Sequence, residues 1–363
     1  MASDSKYAFR FRGDLLGRMV RLGHEVFAVT LDREYEEQFN EAGVSIVDIS
    51  FNRTNTNPFT DLSIIKKYKR IFKEYKPDII YAFTAKPVIY GCVAAGRCGI
   101  GNVYPLIPGL GSSFGNASFK GRLMESIMTR LYRRSLSNAT KVFFQNTDDI
   151  NIFTGKGIVD REKCVRVNGS GVNTDRFAFC EMPDGLSFLL VSRLLRSKGI
   201  IEYLHCAERV KREHPDVCFR LIGGFDTNPD SLSIDDIRPF INNGTVSYNG
   251  YVDDVYPYLC GNSVFVLPTY YNEGLPRSIL EAMSAGRPVI TTAWKGSVDA
   301  VVHKKTGLLI PIKDEQALEN AMLYMIEHKD RLAEMGKNAR VRCEELFEVG
   351  KVNESILKTM GLV

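Results

Sequence analysis

The sequence predicts an α/β protein built as two domains, each a doubly wound parallel sheet. Three observations predict it. The chain has 363 residues, too long for one ordinary core and suited to two. Short apolar runs alternate with amphipathic stretches along nearly its whole length, the order of βα units. That alternation is interrupted once, at residues 172–185, by polar turn residues ending in a Pro-Asp-Gly signal. The expected division is therefore 1–178 for a first domain and 186–345 for a second, with 346–363 as a terminal helix packing back toward the first. Hydrophobic residues make up 44% and charged residues 25% of the chain, which excludes a disordered or collagen-like class.

In the first half the candidate strands are 25–30, 44–48, 78–83, 102–107 and 141–144. Between them, 14–22, 62–75 and 119–136 carry apolar residues at a 3.6-residue period, as in Leu15, Leu16, Met19, Val20 and Leu22. In the second half strands are expected at 187–191, 218–222, 263–267, 288–291 and 307–310, with helices at 200–213, 276–284 and 314–328. A doubly wound domain should open on a strand, yet residues 2–10 are polar and a helix follows at once. The first strand is expected to be missing, and a short apolar run upstream would supply it.

The eight cysteines form no Cys-x-x-Cys pair, and they read as buried thiols of a reducing cytoplasm. No window reaches the roughly 18 apolar residues of a membrane span, so membrane contact, if made, is expected to be peripheral. Charge is uneven. Residues 1–180 hold 26 Lys and Arg against 18 Asp and Glu, whereas 181–363 hold 21 against 25. A basic half suits phosphates or anionic lipid, with a solvated Lys-rich surface as the bland alternative. A nucleic-acid role lacks the interleaved aromatics it would need.

Two strings carry chemistry. Tyr270–Glu281 reads YYNEGLPRSILE and leads from a predicted strand into a helix. Gly274 permits close backbone approach, and Pro276 suits the first helical turn. The amides of Gly274, Leu275 and Arg277 are thus expected to face an anion. Glu273 and Glu281 would flank the same helix mouth, accepting hydrogen bonds from sugar hydroxyls; the alternative is two glutamates that only favour the helix dipole. In VSRLLRSKG, Arg193 and Lys198 follow the opening strand of the second domain, where open α/β sheets bind ligands. Two cations there can neutralise a diphosphate. Lys86 and the glycines Gly109 and Gly111 are candidates for an acceptor side, against the alternatives of a solvated lysine and a tight turn. Arg12 and Gly13 are expected to open the first helix and face phosphates.

Taken with NEGLPRSILEAMSAGRPVI, VNGSGVNTDRF, LIGG and VVHKKTGLLIP, these strings resemble glycosyltransferase family 4, the retaining enzymes of the GT-B fold, whose two Rossmann-like domains enclose a cleft. In the first half FRGDL, FNRTNTNPF, FTAKPVIYG and PGLGSSF resemble the branch that extends lipid-linked O-antigen, capsule and N-glycan precursors, including N-acetylgalactosaminyltransferases acting on undecaprenyl-diphosphate sugars. The resemblance implies Arg193 and Lys198 on the donor diphosphate, Glu281 on the nucleotide ribose, Glu273 on the transferred sugar, and the backbone from Gly274 to Pro276 on sugar and phosphate. It further implies a UDP-sugar co-substrate, no metal or other cofactor, a polyprenyl-diphosphate-linked acceptor, and a cytoplasmic enzyme peripheral to the inner face of the membrane. The histidine that many members carry near YAFTAK is absent; Phe83 and Ala85 stand there.

Two rivals remain open. A sugar-nucleotide epimerase of the same fold would need an acid–base constellation, and the five histidines form none. A non-catalytic two-lobed binding protein would have no use for paired diphosphate cations.

Overall fold

A computed structural model describes residues 1–363 apart from 51–57, 112–113 and 115–117, and the side chains of 58–62. The strings FNRTNTNPF and PGLGSSF fall partly outside the described residues. The chain forms two units. The first comprises Met1–Ser170, Asn272–Gly274 and Val349–Val363; the second comprises Gly171–Tyr271 and Leu275–Glu348. The first break lies upstream of the expected 178 because Val172 and Phe177 are buried in a core of the second unit, and the Val172 amide donates to the Phe347 carbonyl at 2.9 Å.

In the first unit the strands are β1 (Phe27–Thr30), β2 (Ser45–Asp48), β3 (Ile79–Phe83), β4 (Asn102–Ile107), β5 (Val142–Phe144) and β6 (Cys164–Arg166). They form a β1–β2 pair and a sheet in the order β3-β4-β5-β6, all parallel. Among the described residues no strand precedes the first helix, and the β1–β2 pair is separate from the four-stranded sheet, but residues 1–3 make strand-like bonds between the two. The Ala2 amide donates to Val29 at 3.0 Å and the Phe83 amide to the Met1 carbonyl at 3.1 Å. The Met1 amino group donates to the Tyr81 carbonyl at 2.7 Å. Met1 thus bonds two residues spaced by two on β3, the pattern of parallel pairing, and residues 1–3 fill the seat between β1 and β3. Burial pushes the Met1 amino group down to about 5.

The helices are α1 (Ser5–Arg21), α2 (Glu36–Glu41), α3 (Pro58–Tyr75), α4 (Cys92–Arg97), α5 (Phe119–Leu136) and α6 (Thr147–Gly155). A π-helical turn, Pro87–Gly91, precedes α4. Successive strand side chains face opposite sides, so Ile80 and Ala82 join the core under α3 to α6. Tyr81 and Phe83 join the core under α1, α2 and the C-terminal helix.

In the second unit the strands are β7 (Ser187–Val191), β8 (Cys218–Ile222), β9 (Ser247–Tyr248), β10 (Val264–Leu267), β11 (Val289–Thr292) and β12 (Gly307–Ile310). They form one parallel sheet in the order β12-β11-β10-β7-β8-β9. From the β9 edge the strands follow the doubly wound order 3-2-1-4-5-6. The helices are α7 (Ile200–Glu213), α8 (Ile234–Asn242), α9 (Tyr256–Cys260), α10 (Arg277–Ser284), α11 (Lys295–Ala300), α12 (Glu315–Glu327), α13 (Leu332–Leu346) and α14 (Val349–Met360), the last contributing to the first unit. Residues of α7, α8 and α12 pack on one sheet face, and those of α9, α10, α11 and α13 on the other.

The cysteine reading is also corrected. Cys180 and Cys260 form a disulfide, and Cys218 is an exposed thiol. Beside the disulfide, Arg287 is only 1% exposed. Its guanidinium donates to the carbonyls of Ala285, Asn262, Cys180 and Glu181, and burial pushes it down to about 10, so it stays charged at neutral pH. One side chain therefore satisfies four carbonyls from three segments. Arg287→Met removes every one of those donors, and each buried carbonyl left bare carries a desolvation cost. We expect a loss of about 3 kcal/mol, lowering the melting temperature by about 6–12 °C. Differential scanning calorimetry measures it, and a shift within about 1 °C would show that water replaces the clamp.

Candidate functional site

The doubly wound order places β7 beside β10, with chain connections departing to opposite faces. The carboxyl ends of these two strands form the switch point at which open α/β sheets bind ligands. After β7 the chain makes a short turn, 192–199, and enters α7. After β10 it runs through Thr269–Tyr271.

The two connections are stitched together. Gly199 has φ +75°, and a Cβ there would lie 2.3 Å from the Pro268 carbonyl oxygen. The Tyr270 amide donates to the Ser197 carbonyl at 2.8 Å, and the Thr269 hydroxyl to the same oxygen at 3.3 Å. From the far side the loop after β8 braces the turn. The Leu194 amide donates to Gly224 and the Arg196 amide to Asp230, while the Ser197 amide and hydroxyl both donate to the Asp230 carboxylate.

This frame brings Arg193 and Lys198 to one aromatic ring. The Arg193 guanidinium lies 5.9 Å and the Lys198 ammonium 5.4 Å from the centre of Tyr271, within cation–π range. Arg193 also pairs with Asp226 at 2.7 Å. Burial opposes its charge, but Asp226 and Tyr271 outweigh burial and raise its pKa. Lys198 is only 6% exposed, an uncommon position for an ammonium. A second aromatic, Tyr270, lies under the Lys313 ammonium at 4.7 Å; burial and Glu202 push its hydroxyl up to about 12.

At the start of α10, Pro276 is the N-cap with φ −62°. Glu281 faces back one turn to Arg277 at 3.0 Å, both side chains being largely buried. The expectation that three amides there await an anion is corrected for Gly274, whose amide donates to the Pro108 carbonyl at 2.7 Å. Leu275 is buried in the second unit's core. Asn272–Gly274 belongs to the first unit, and so Glu273 and Gly274 come together with Gly109 and Gly111. The Gly111 amide donates to the Asn272 carbonyl at 2.8 Å, and a Cβ on Gly109, at φ +149°, would lie 2.7 Å from the Glu273 Cα. Gly109 admits a neighbouring backbone.

Lys86 follows β3 at the carboxyl edge of the first sheet and leads into the π-helical turn. Gly13 is elsewhere. The first helix starts at Ser5 with Asp4 as its N-cap, so Arg12 and Gly13 lie in its interior and do not open it. Gly13 packs on Phe9. Arg12, 2% exposed, lies over Tyr81 and Phe83 at 6.0 and 5.9 Å. Among the described residues no group of three His, Cys, Asp or Glu could hold a metal. Sequence reasoning missed Tyr271, Asp226 and the side chain of Arg277, which it singled out only for its amide. The signal for Tyr271 was its place next to the glutamate string; the other two depend on tertiary pairing.

Two family models match the chain: "Glycosyl transferase 4-like" over residues 15–146 and "Glycosyl transferases group 1" over 185–328. The chain belongs to these glycosyltransferases. A similar protein is the N,N'-diacetylbacillosaminyl-diphospho-undecaprenol alpha-1,3-N-acetylgalactosaminyltransferase of Campylobacter jejuni, 27% identical over 91% of this chain and 89% of its own. Another is the UDP-Gal:alpha-D-GlcNAc-diphosphoundecaprenol alpha-1,3-galactosyltransferase of Escherichia coli, 27% identical over 80% and 76%. Among solved structures, Anabaena Alr3699/HepE in complex with UDP-glucose superposes with a TM-score of 0.79 at 17% identity, covering 100% of this chain and 98% of that one. A glycosyltransferase from Rickettsia africae gives 0.76 at 18%, covering 97% and 93%. The glycosyltransferase has the GT-B fold, two Rossmann-like α/β domains.

The stitching at Gly199 is testable in this transferase. Gly199→Ala puts a side chain on a left-handed backbone and against a carbonyl that the sheet holds in place. We expect about 2–4 kcal/mol of destabilisation, read by urea unfolding; an unchanged midpoint would mean that the two loops separate without cost.

Proposed function

We propose that this glycosyltransferase moves a hexose or N-acetylhexosamine, N-acetylgalactosamine first among the candidates, from a UDP-sugar to a polyprenyl-diphosphate-linked sugar in bacterial surface-glycan assembly, with retention at the anomeric carbon. One observation carries the proposal. Two cations, Arg193 and Lys198, converge on Tyr271 at the switch point of the second sheet, where they can meet a diphosphate. The names of the Campylobacter and Escherichia relatives supply the acceptor class.

In this reading the bond from the anomeric carbon to the diphosphate oxygen breaks as the acceptor hydroxyl enters on the same face, and that phosphate oxygen takes the hydroxyl proton. Charge accumulates on the departing diphosphate. Arg193 and Lys198 stabilise it in place of a metal, and because Asp226 and Tyr271 already orient Arg193, little reorganisation accompanies the step. Glu281, fixed by Arg277, accepts hydrogen bonds from the ribose, and Glu273 from the transferred sugar. The chain from Gly274 to Pro276 is assigned to sugar and phosphate; the Gly274 amide would have to exchange its bond to Pro108 to take part. Lys86, Gly109 and Gly111 are assigned to the acceptor side. No helix among the described residues is long and apolar enough to cross a membrane. The proposal places the enzyme in the cytoplasm, peripheral to the inner membrane face.

The roles separate kinetically. Arg193→Ala and Lys198→Ala should lower kcat by about 10²–10³-fold, because the charge they meet grows in the transition state. Glu281→Ala should weaken donor binding by roughly 1.5–3 kcal/mol, the range for a hydrogen bond to a charged group. UDP release from a panel of UDP-sugars, with and without undecaprenyl-diphosphate acceptors, provides the measurement. Unchanged kinetics in all three variants would overturn the assignment of the site.

A further inference from the structure

The helix α5 packs inward through Tyr132, Ser135 and Leu136, which are buried. Its opposite face holds an apolar row that is exposed among the described residues. Phe119 is 84%, Leu123 55% and Ile127 42% exposed, with Met124 beside them at 41%. Phe119, Leu123 and Ile127 are spaced by four, one above the other along the helix, and Arg130 and Arg134 continue the same face toward the C-terminus. Lys120 and Arg122 flank the row, and all four cations are exposed. Scattered apolar residues on a surface need no explanation, but a contiguous, cation-rimmed set does.

Acidic residues are kept off this face. Glu125 is the one acid in α5; it lies toward the packed side and is paired with Lys156 at 2.6 Å. The fifth cation, Arg133, is spent on structure, donating to the Gly157 and Lys156 carbonyls. Helix α3, in the layer on the same face of the sheet, adds exposed Lys66, Arg70 and Lys73, with Lys76 just after its end, while Lys67 is tied to Ser50. The pattern matches an amphipathic element that lies in an interface, apolar row buried at headgroup level and cations on phosphates.

We propose that the exposed face of α5 is a membrane-docking surface for a bilayer rich in anionic headgroups, inserting Phe119, Leu123 and Ile127 while Lys120, Arg122, Arg130 and Arg134 engage lipid phosphate. This deepens the proposed function by assigning the peripheral contact to one helix. It does not depend on which sugar is transferred.

The test uses the full chain and vesicles that contain no acceptor lipid, so that docking is read apart from transfer. Sedimentation should show binding to phosphatidylglycerol–phosphatidylcholine vesicles, none to pure phosphatidylcholine, and release at high salt. The variant Phe119→Ser/Leu123→Ser/Ile127→Ser keeps every charge and alters exposed positions only. It should bind at least about ten-fold more weakly, which plain electrostatic attraction would not produce. Neutralising Arg130 and Arg134 to Gln should cost about five-fold each, the value of one cation near an anionic surface. Phe119→Trp in a Trp294→Phe background gives a single reporter, expected to shift blue with anionic vesicles and to be quenched by brominated acyl chains. The serine variant should retain turnover with a detergent-solubilised acceptor. Equal binding by the serine variant, binding of the wild type to both vesicle types or to neither, or a serine-sensitive dimer without vesicle binding would overturn the proposal. The transfer reading would then still stand or fall on the Arg193 and Lys198 kinetics.

Discussion

The arrangement of the candidate site depends on one close approach, that of Gly199 to the Pro268 carbonyl. Any side chain at 199 would force the turn after β7 away from the segment after β10. That separation would break the bonds from Tyr270 and Thr269 to Ser197 and draw Lys198 away from Tyr271. The loop after β8 acts from the other side in the same sense. A Cβ on Gly223, at φ +158°, would fall 1.8 Å from the Ser192 oxygen, so this loop can bring Asp226 to Arg193 only because 223 is glycine. Two glycines thus let three strand ends converge, and the charged side chains follow the backbone.

The strands were legible because both faces of each sheet are covered. Parallel strands buried on both faces read as continuous apolar runs, and Ser187–Val191 and Cys218–Ile222 have the bounds expected of them. The long helices were legible where one face is wet, as in Phe119–Leu136 and Ile200–Glu213. The early start of α1 was not. Its first turns alternate aromatic and basic residues, Tyr7, Phe9, Phe11 with Lys6, Arg10, Arg12, a period of two that argues against a helix. Its N-cap is an aspartate with no capping box behind it, and its buried side chains include Ser5 and Arg12. Hydropathy does not place a serine and an arginine inside. Similarly, α8 carries Pro239 within it and α11 has six residues, both too irregular for a periodic signal.

The charged candidates could be singled out residue by residue, but their pairing could not. Strand-end position is a local property, and it sufficed to single out Arg193 and Lys198. Their common partner Tyr271, the Asp226 brace, and the Arg277–Glu281 bond are products of topology. The same limit explains Gly109 and Gly111. A tight glycine turn at a strand end suggests ligand access, whereas Gly109 accommodates Glu273 and Gly274 and the Gly111 amide bonds Asn272, in a segment whose neighbours in sequence belong to the other unit. Glycine marks where something approaches closely; it does not say whether that is substrate or chain.

Net charge is a poor guide to where either function resides. The half of the chain with more acids than bases carries the cation pair proposed for the diphosphate, and the basic half carries the helix proposed for the membrane. Screening explains why the two do not conflict. With a Debye length of about 8 Å at physiological salt, a diphosphate beside Tyr271 responds chiefly to Arg193 and to the buried Lys198, not to acids spread over the rest of that half. Across a helix face the same screening makes an isolated surface cation weak, so attachment requires several cations on one face and an apolar row that salt does not screen. Helix α5 has both. In the two proposals a bilayer would meet a face and a diphosphate a strand end, and the sequence concentrates charge on one helix and buries the Lys198 ammonium at the other place.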